Sequence, residues 1–259
     1  MSRNSLKKVF IFTSLKKKNS YSVSAVSDTN ATEIIIPPTY DGKPIKCIRR
    51  NGFNNCCSLE SVTIPEGVTS ICIYAFRKCK SLKKVTMPNS ITTIGNFAFS
   101  ECHSLESFDV PNKVTSIGSW AFSDCLNLKY ITMPDKLKKL GEHAFSGCVS
   151  LESIKIPNRI TSICSGVFAN CISLNTIEIP EGVTSIGVAA FRECTSLESI
   201  TIPDSVTSID IWAFSGCNSL KTVYYTGTEE QWKSIQINND QSGNDYLINA
   251  TIIYNYIRQ

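Results

Sequence analysis

Residues 206–223 read Val206-Thr-Ser-Ile-Asp-Ile-Trp-Ala-Phe-Ser-Gly-Cys-Asn-Ser-Leu-Lys-Thr-Val223, one copy of a unit that repeats from about residue 45 onward. A phenylalanine stands at the same point of eight copies, and successive phenylalanines are 23 residues apart. They are Phe53, Phe76, Phe99, Phe122, Phe145, Phe168, Phe191 and Phe214. A period that holds through so many units predicts a solenoid, because one unit cannot bury its own apolar face and must stack on its neighbours.

The apolar positions inside each unit predict how one coil is built. The segment Leu151-Glu-Ser-Ile-Lys-Ile-Pro157 places apolar residues at its first, fourth and sixth positions, as expected of a short half-buried strand. The proline ends that strand because it cannot donate to a ladder. A second apolar pair, such as Val206 and Ile209, predicts a shorter extended segment. The Ala-Phe that follows predicts a single helical or 3-10 turn, with the Phe ring in the core.

The predicted fold is therefore a repeat solenoid, mainly β with short helical or 3-10 turns, of about eight 23-residue coils. Residues 1–44 predict an N-terminal β cap and first turn, with strands near 9–12, 21–24 and 32–36. Residues 45–225 predict the solenoid, and residues 226–259 a C-terminal cap of strand, helix and strand. Thr228 and Gln231 form a capping-box pattern at the start of that helix. All three parts are expected to form one structural domain.

The charge distribution argues against nucleic acid as a partner. Six basic residues precede the first acidic one and contribute +6 to a net charge of +4, which leaves −2 for the rest of the chain. They are Arg3, Lys7, Lys8, Lys16, Lys17 and Lys18. Near-neutral repeats do not provide the basic surface that tracks phosphates. The basic N-terminus is interpreted as a solvated end that keeps an exposed strand from pairing, and binding to anionic polymers or lipid head groups is the alternative.

The N-terminal sequence does not read as an export signal. The apolar run at residues 9–12 is too short for a signal-peptide core, and three lysines follow at residues 16–18. No segment approaches the length needed to span a membrane. We therefore expect no leader and no membrane span in this chain, while a leader removed earlier and leaderless export stay open as alternatives.

The repeat unit resembles the BspA-like, Treponema-type leucine-rich repeat family. The pattern is almost unbroken at Ile179-Pro-Glu-Gly-Val-Thr-Ser-Ile-Gly-Val-Ala-Ala-Phe-Arg-Glu-Cys-Thr-Ser-Leu-Glu-Ser-Ile200, and the resemblance covers roughly residues 32–225. Residues 31–44 and 223–232 also resemble the caps of that family. The resemblance implies a curved right-handed solenoid without shared catalytic residues. It also implies a role like that of surface proteins from anaerobic or mucosal bacteria and some protozoa, which adhere to host matrix proteins or to other microbes.

The twelve cysteines are interpreted as reduced thiols. Eight follow the phenylalanines by three residues, so they form one column on coils about 4.8 Å apart and point the same way, which does not suit disulfides. We expect them to be buried and to donate weak S–H hydrogen bonds to turn carbonyls. Cys47, Cys57, Cys72 and Cys164 lie outside the column. Such thiols fit a reducing cytosol or an anaerobic habitat.

The sequence predicts no metal site, no cofactor and no enzymatic activity. It has no Cys-x-x-Cys pair, and its two histidines, His103 and His143, are not clustered with cysteines at zinc-ligand spacing. His103 follows Cys102 directly, but adjacency in sequence does not give the geometry of a nucleophile and its base. Acidic residues recur with the period and form no unique cluster, so no catalytic site is predicted.

Outward positions of the first strand give the candidate binding site. One outward column alternates in sign from Glu60 and Lys83 to Glu198 and Lys221, and neighbouring coils are expected to form ion pairs that support the register. The other two outward columns are mostly Ser and Thr, broken by a few distinctive side chains. We predict that these bind the ligand: Lys84, Asp109, Tyr130, Lys155 and Glu178.

A second candidate is the residue just before each Ala-Phe. Aromatic side chains dominate both ends of this column, and the alternative patch consists of Tyr74, Phe97, Trp120 and Trp212. These rings are expected to cover the core beside the turn, or to form an edge patch for carbohydrate or protein.

Two classes of function follow from these patterns. The first is a non-enzymatic binding module, an adhesin-type protein at the cell surface or secreted, which recognises host or microbial protein or polysaccharide through the strand face. The second is an intracellular or self-associating structural scaffold for protein interaction. The expected molecule is a monomer. The sequence does not decide the compartment of the protein. The family resemblance implies the cell surface, whereas the free thiols suggest a reducing or anaerobic setting.

Overall fold

In the computed structural model, residues 9–15, 19–25 and 30–258 are described, and their N-terminal part forms strands as predicted. Strands β1 (Phe10–Leu15) and β2 (Ser20–Ala25) form an antiparallel hairpin. They are followed by β3 (Glu33–Ile35), β4 (Thr39–Tyr40) and β5 (Lys43–Ile48). β4 pairs with β5 in a small antiparallel hairpin, a pair that was not among the strands predicted for residues 1–44. The basic residues at positions 3, 7, 8 and 16–18 lie outside the described residues.

The repeats form short strands that alternate between two faces of the molecule. In chain order they are β6 (Ser61–Thr63), β7 (Ser70–Ile71), β8 (Lys84–Thr86), β9 (Thr93–Ile94), β10 (Ser107–Asp109), β11 (Ser116–Ile117), β12 (Tyr130–Thr132), β13 (Lys139–Leu140), β14 (Ser162–Ile163), β15 (Thr176–Glu178), β16 (Ser185–Ile186), β17 (Ser199–Ile202), β18 (Ser208–Ile209) and β19 (Thr222–Tyr225). Neighbouring coils pair in parallel and in register, for example Ser162 with Ser185. The predicted solenoid, mainly β, is thereby confirmed.

The C-terminal residues form two short helices, a 3-10 turn and two further strands. Helix α1 (Glu229–Ser234) begins with the predicted capping box, in which Thr228 N–H donates to Gln231 Oε1 at 2.8 Å and Gln231 N–H donates to Thr228 Oγ1 at 3.3 Å. It is followed by β20 (Gln236–Ile237), a 3-10 turn (Asp240–Ser242), α2 (Asp245–Ile248) and β21 (Thr251–Ile253). β20 pairs with β18, and β21 pairs with β19.

Asn244 completes the last repeat coil at this end. Its buried amide accepts a hydrogen bond from Phe214 N–H at 3.0 Å and donates to Asp210 O at 2.9 Å. In the other coils the corresponding Phe N–H donates to a carbonyl of the next coil, as Phe76 does to Ala98 O at 2.8 Å. The side chain of Asn244 therefore satisfies a backbone donor that no further repeat is present to satisfy.

The Ala-Phe segments form successive turns rather than the predicted helical or 3-10 turn. In one coil Tyr74 and Lys78 have left-handed backbone conformations, with φ of 60° and 62°. The N–H groups of Tyr74, Phe76 and Lys78 donate to carbonyls of the next coil at 2.8–3.0 Å. Left-handed residues four positions apart interrupt a helix, and the amide of every second residue points toward the neighbouring coil. The turns therefore form a hydrogen-bonded ladder along the solenoid.

The core consists of the eight repeated phenylalanines and the residues around them. Neighbouring rings are stacked, with centroids between 5.1 and 5.9 Å apart, and all eight side chains are buried. In the 151–156 segment Leu151, Ile154 and Ile156 are buried, while Ser153 and Lys155 are exposed. The predicted inward and outward positions are confirmed.

The cysteine column makes the hydrogen bonds that the sequence predicted. From Cys79 to Cys217, each thiol donates to the carbonyl oxygen of the Phe 26 residues earlier, with Sγ to O distances of 3.0–3.3 Å. Burial raises the pKa of the Cys125, Cys171 and Cys217 thiols to about 12. Cys56 is only partly buried, because no repeat coil covers it on the N-terminal side. From Cys79 onward the column thus holds neutral thiols, which are poor nucleophiles, whereas a hydrogen bond with Cys79 lowers the pKa of Cys56.

Thiol titration checks this arrangement. None of the twelve cysteines forms a disulfide, and seven of them are buried. Titration of freshly prepared protein without reductant should therefore find twelve thiols in denaturant. In native protein the five others, Cys47, Cys56, Cys57, Cys72 and Cys164, should react first. Fewer than about ten thiols in denaturant would contradict the column geometry.

Candidate functional site

The strand face, made of β3, β6, β8, β10, β12, β15, β17, β19 and β21, is not one continuous sheet. It consists of a three-stranded sheet β3-β6-β8, a pair β10-β12 and a four-stranded sheet β15-β17-β19-β21. Residues 152–156 form no strand and, within the described chain, make no backbone hydrogen bond to either neighbouring coil. The expected parallel sheet through eight coils, including a strand at 152–156, is therefore wrong.

A bulky ring lies at the first interruption, between β8 and β10. Phe108 stands at an inward position where the other coils have Val or Ile. Its ring packs between Phe99 and Phe122, with centroid distances of 5.0 and 4.8 Å. Phe108 is thus the bulkiest side chain at this inward position, on a strand that pairs with β12 and not with β8.

The second interruption lies beside the widest steps of the core ring stack. The centroids of Phe122 and Phe145 are 5.6 Å apart and those of Phe145 and Phe168 are 5.9 Å apart, the two widest steps of the stack. These steps flank the coil that contains residues 152–156. Strand pairing is lost on both faces beside this widest step of the ring stack. The turn ladder remains intact here, since Phe145 N–H donates to Val167 O at 3.0 Å.

The opposite face, which carries β5, β7, β9, β11, β13, β14, β16, β18 and β20, is interrupted at the same step. β13 ends one sheet and β14 begins the next. A cavity of about 590 Å³ lies at this break, with Lys139, Glu142 and Cys164 among its lining residues. Both faces are therefore open beside the widest ring spacing, a feature that the repeat period does not predict.

Two of the five predicted ligand residues meet at the strand-face interruption. Lys155 and Glu178 line a cavity of about 390 Å³ together with Ser153, Thr176 and Arg258. Hydroxyl groups, a cation and a carboxylate thus converge beside the exposed edge of β15. Such a mixture suits a polar ligand that offers both hydrogen-bond donors and acceptors.

Arg258 shapes the charge of this cavity, and sequence analysis missed it. Its Nη1 lies 2.7 Å from Glu178 Oε1, its Nε lies 3.1 Å from Glu181 Oε1, and its Nη2 donates to Ile179 O at 2.6 Å. The residue is outside the repeats, so no periodic signal pointed to it. Lys155 forms no ion pair with any described residue, and its ammonium group therefore remains available to a ligand.

The other three predicted residues lie on the same face in earlier coils. Tyr130 is 54% exposed, and its hydroxyl donates to Glu152 Oε2 at 3.2 Å. This hydrogen bond raises the pKa of Tyr130. Asp109 accepts a hydrogen bond from Thr132 Oγ1 at 2.8 Å, and Lys84 is exposed on β8. Lys84 and Asp109 do not line the cavity that contains Lys155 and Glu178.

The expected column of ion pairs between coils is largely absent. Among described residues of that column, Lys83 Nζ lies 2.9 Å from Glu60 Oε2, and this is the one pair that forms. Glu152 instead accepts a hydrogen bond from Tyr130. The prediction was wrong for the later coils, because exposed charges gain little from pairing in water and the coils separate near residue 152.

The alternative aromatic patch is a stacked ladder in its first part. Tyr74 and Phe97 have ring centroids 5.0 Å apart, Phe97 and Trp120 5.9 Å, and Trp120 and His143 4.0 Å. Gly166 and Ala189 follow in the column, so Trp212 stands apart from the ladder. Because the rings cover one another's faces, they present edges rather than the open faces on which a sugar ring stacks.

The comparisons with known proteins identify the family. The sequence model of the BspA type leucine rich repeat region matches residues 46–172 and 138–242, with six copies. The chain belongs to this family. Leucine-rich repeat solenoids of this kind are protein-interaction modules, and the fold is typically a non-enzymatic binding scaffold. No curated protein matches the chain in sequence.

Solved structures of bacterial leucine-rich repeat proteins are similar to this BspA-type chain. A leucine rich cell surface protein from Faecalibacterium prausnitzii is 27% identical, with a TM-score of 0.52 over 88% of this chain and 95% of that one. A leucine-rich repeat protein from Bacteroides ovatus is 26% identical, with a TM-score of 0.56 over 95% and 77%. The Treponema pallidum leucine-rich repeat protein shares the fold, at 23% identity and a TM-score of 0.66 over 88% and 92%.

Residues 9–15, 19–25 and 30–258 hold no group of three or more His, Cys, Asp or Glu side chains placed to bind a metal ion. No helix in those ranges has the length and apolar character to cross a bilayer. Cys102 is buried, and burial raises its pKa well above the usual range, so the Cys102-His103 pair does not provide a thiolate.

Proposed function

We propose that this BspA-type chain is an adhesin-type binding module, at the cell surface or secreted, which acts as a monomer and recognises host or microbial protein or polysaccharide through its strand face. The observation that carries the proposal is the cavity at residues 152–156. It combines Lys155, Glu178 and Arg258 with strand-face hydroxyl groups. The similar Faecalibacterium prausnitzii protein is described as a cell surface protein, which supports the same location.

The shape of the face favours a large partner. Solenoids generally bind through an extended surface instead of one closed pocket. Tyr130 projects from the coil before the cavity, and an exposed Tyr beside a cation is a common anchor of protein interfaces. Tyr130 and Lys155 therefore form the proposed centre of contact, with Lys84 and Asp109 extending it toward the N-terminal coils.

Paired substitution of the proposed centre tests this function. The parent would be screened against immobilised matrix proteins and a glycan array, and the variant with Tyr130→Ala and Lys155→Ala would then be measured on each ligand found. We expect about a tenfold or larger loss of affinity. The melting temperature should stay within a few degrees, because both side chains are exposed. Binding by the parent should weaken as salt is raised.

A matched control separates this effect from a general loss of Tyr and Lys. Tyr246 and Lys136 are also exposed and do not line the cavity, so the variant with Tyr246→Ala and Lys136→Ala should bind as the parent does. If Trp120→Ala or Trp212→Ala lost binding while the strand-face variant bound normally, the binding site would be assigned to the aromatic patch and not to the strand face.

A specific observation favours the self-associating scaffold as the second candidate. β3 and β21 are the outermost strands of the strand face among the described strands, and their outward residues Ile35 and Ile253 are 61% and 42% exposed. Unpaired edge strands with apolar side chains can pair with another chain. Concentration-dependent assembly in sedimentation, together with unchanged ligand binding by the strand-face variant, would support this candidate over the adhesin.

A further inference from the structure

Two cysteines outside the buried column meet where the N-terminal strands join the first repeat coil. In the parallel pair β5 and β7, Cys47 lies directly opposite Ser70. Cys72 is two residues beyond Ser70, so its side chain points to the same side of the sheet as those of Ser70 and Cys47. Cys72 N–H donates to Ile48 O at 3.0 Å, which holds the backbone of Cys72 against β5.

The environment of Cys72 differs from that of the buried thiols. Its thiol is in hydrogen-bond contact with the side chain of Cys47 and also with that of Ser70. The contact with Cys47 lowers the pKa of Cys72 to about 7, although partial burial acts in the opposite direction. Both cysteines are partly exposed. At neutral pH Cys72 therefore spends a substantial fraction of time as the thiolate, which is the nucleophilic form.

The pair is specific to this place in the solenoid. In the following coils the position of Cys72 is occupied by Gly95, Gly118, Gly141, Cys164, Gly187 and Asp210. Cys164 is the other cysteine at this position, and the residue corresponding to Cys47 beside it is Lys139. Burial raises the pKa of Cys164. Cys72 and Cys164 thus occupy the same position in two coils, but only Cys72 has a second thiol beside it.

We propose that Cys47 and Cys72 form a reactive dithiol, which is modified by low-molecular-weight disulfides and closes to a disulfide between β5 and the first repeat coil. The register places the two cysteines diagonally, so closure requires a shift of the backbone at Cys72, which lies just after the end of β7 and outside the strand pairing that holds the buried column. The Cys72 thiolate attacks one sulfur of the small disulfide, forming a mixed disulfide and releasing one small thiolate. Cys47 then loses its proton and attacks the Cys72 sulfur, releasing the second small thiolate. The two protein thiols lose two electrons in total, and the small disulfide gains them and becomes two thiols.

Glutathione disulfide provides the test with the full chain. Reduced, desalted protein would be incubated with it near neutral pH, and samples would be quenched with acid for intact mass, peptide mapping and thiol titration in denaturant. The parent should lose about 2 Da and two titratable thiols, with Cys47 linked to Cys72. Cys47→Ser should stop at a stable glutathione adduct on Cys72, and Cys72→Ser should show neither product.

Cys164→Ser is the matched control, because Cys164 occupies the position that corresponds to Cys72 but has no thiol beside it. This variant should react with glutathione disulfide as the parent does. Alkylation rates of the parent, read by peptide mapping, compare Cys72 with Cys164 without any substitution, so the test does not depend on the folding of a variant. A faster rate at Cys72 is expected. The proposal would be overturned if Cys72 and Cys164 were alkylated at equal rates, or if the parent did not react with glutathione disulfide. It would also be overturned if the parent kept a glutathione adduct without closing the disulfide. It stands independently of ligand binding by the strand face.

Discussion

Phe122→Ala is expected to lower the free energy of unfolding by about 3–5 kcal/mol, because it opens a cavity that the surrounding coils cannot refill. The Phe122 ring is fully buried. Its centroid lies 5.4 Å from that of Phe99, 5.6 Å from that of Phe145 and 4.8 Å from that of Phe108. The substitution therefore removes contacts with both neighbouring coils and with the Phe108 ring.

Thermal and denaturant unfolding would measure this effect, with Ser153→Ala as the control. Ser153 is exposed, so its substitution should change stability by less than about 0.5 kcal/mol. Hydrogen exchange should show the loss of protection in the coils on either side of Phe122, because each coil of a solenoid contacts only its neighbours. Coinciding melts of the two variants would show that the inward and outward positions are assigned incorrectly.

Gly141→Ala is expected to cost about 3 kcal/mol, at the upper end of the usual range for overpacking. A Cβ atom on Gly141 would overlap Ser119 N and Gly118 C, which are backbone atoms of the preceding coil. A flexible side chain could move away, but these atoms are held in place, since Gly141 N–H donates to Ile117 O at 2.9 Å and Gly118 N–H donates to Ile94 O at 2.9 Å. The coils would have to separate to admit the methyl group.

The corresponding substitution one coil later is the control for Gly141→Ala. Cys164 occupies the same position and already carries a Cβ atom, beside the step at which β13 and β14 do not pair. Cys164→Ala should therefore change the free energy of unfolding by less than about 1 kcal/mol. Similar denaturant midpoints for Gly141→Ala and the parent would mean that the coils can separate at this step without loss of stability.

The sequence determined most of the internal structure of each coil. The 23-residue period specified which residues are buried, from the Phe column to Leu151 and Ile154, and it specified the S–H hydrogen bonds of the Cys column. The sequence also predicted the capping box at Thr228. These features depend on local patterns and on neighbours one period away, and such information is present in the order of residues.

The candidate site was only partly predictable. Outward positions such as Lys155 and Glu178 followed from the strand pattern, but their meeting in one cavity did not. Arg258 reaches them from outside the repeats, and Cys47 meets Cys72 across two strands. Each of these contacts joins segments whose separation in the sequence is not the 23-residue period. The period therefore could not predict them.

Only the tertiary structure decided where the strand face is interrupted. Every coil has nearly the same sequence pattern, and residues 152–156 read as a strand like the others. Whether a strand pairs depends on the distance between coils, which the volumes packed between them determine. Phe108 adds a ring at one step, and the stack widens to 5.9 Å between Phe145 and Phe168 at another. The packing of the core thus differs from coil to coil beside the steps where strands do not pair and where the proposed binding cavity opens, and the repeat period carries no information on this difference.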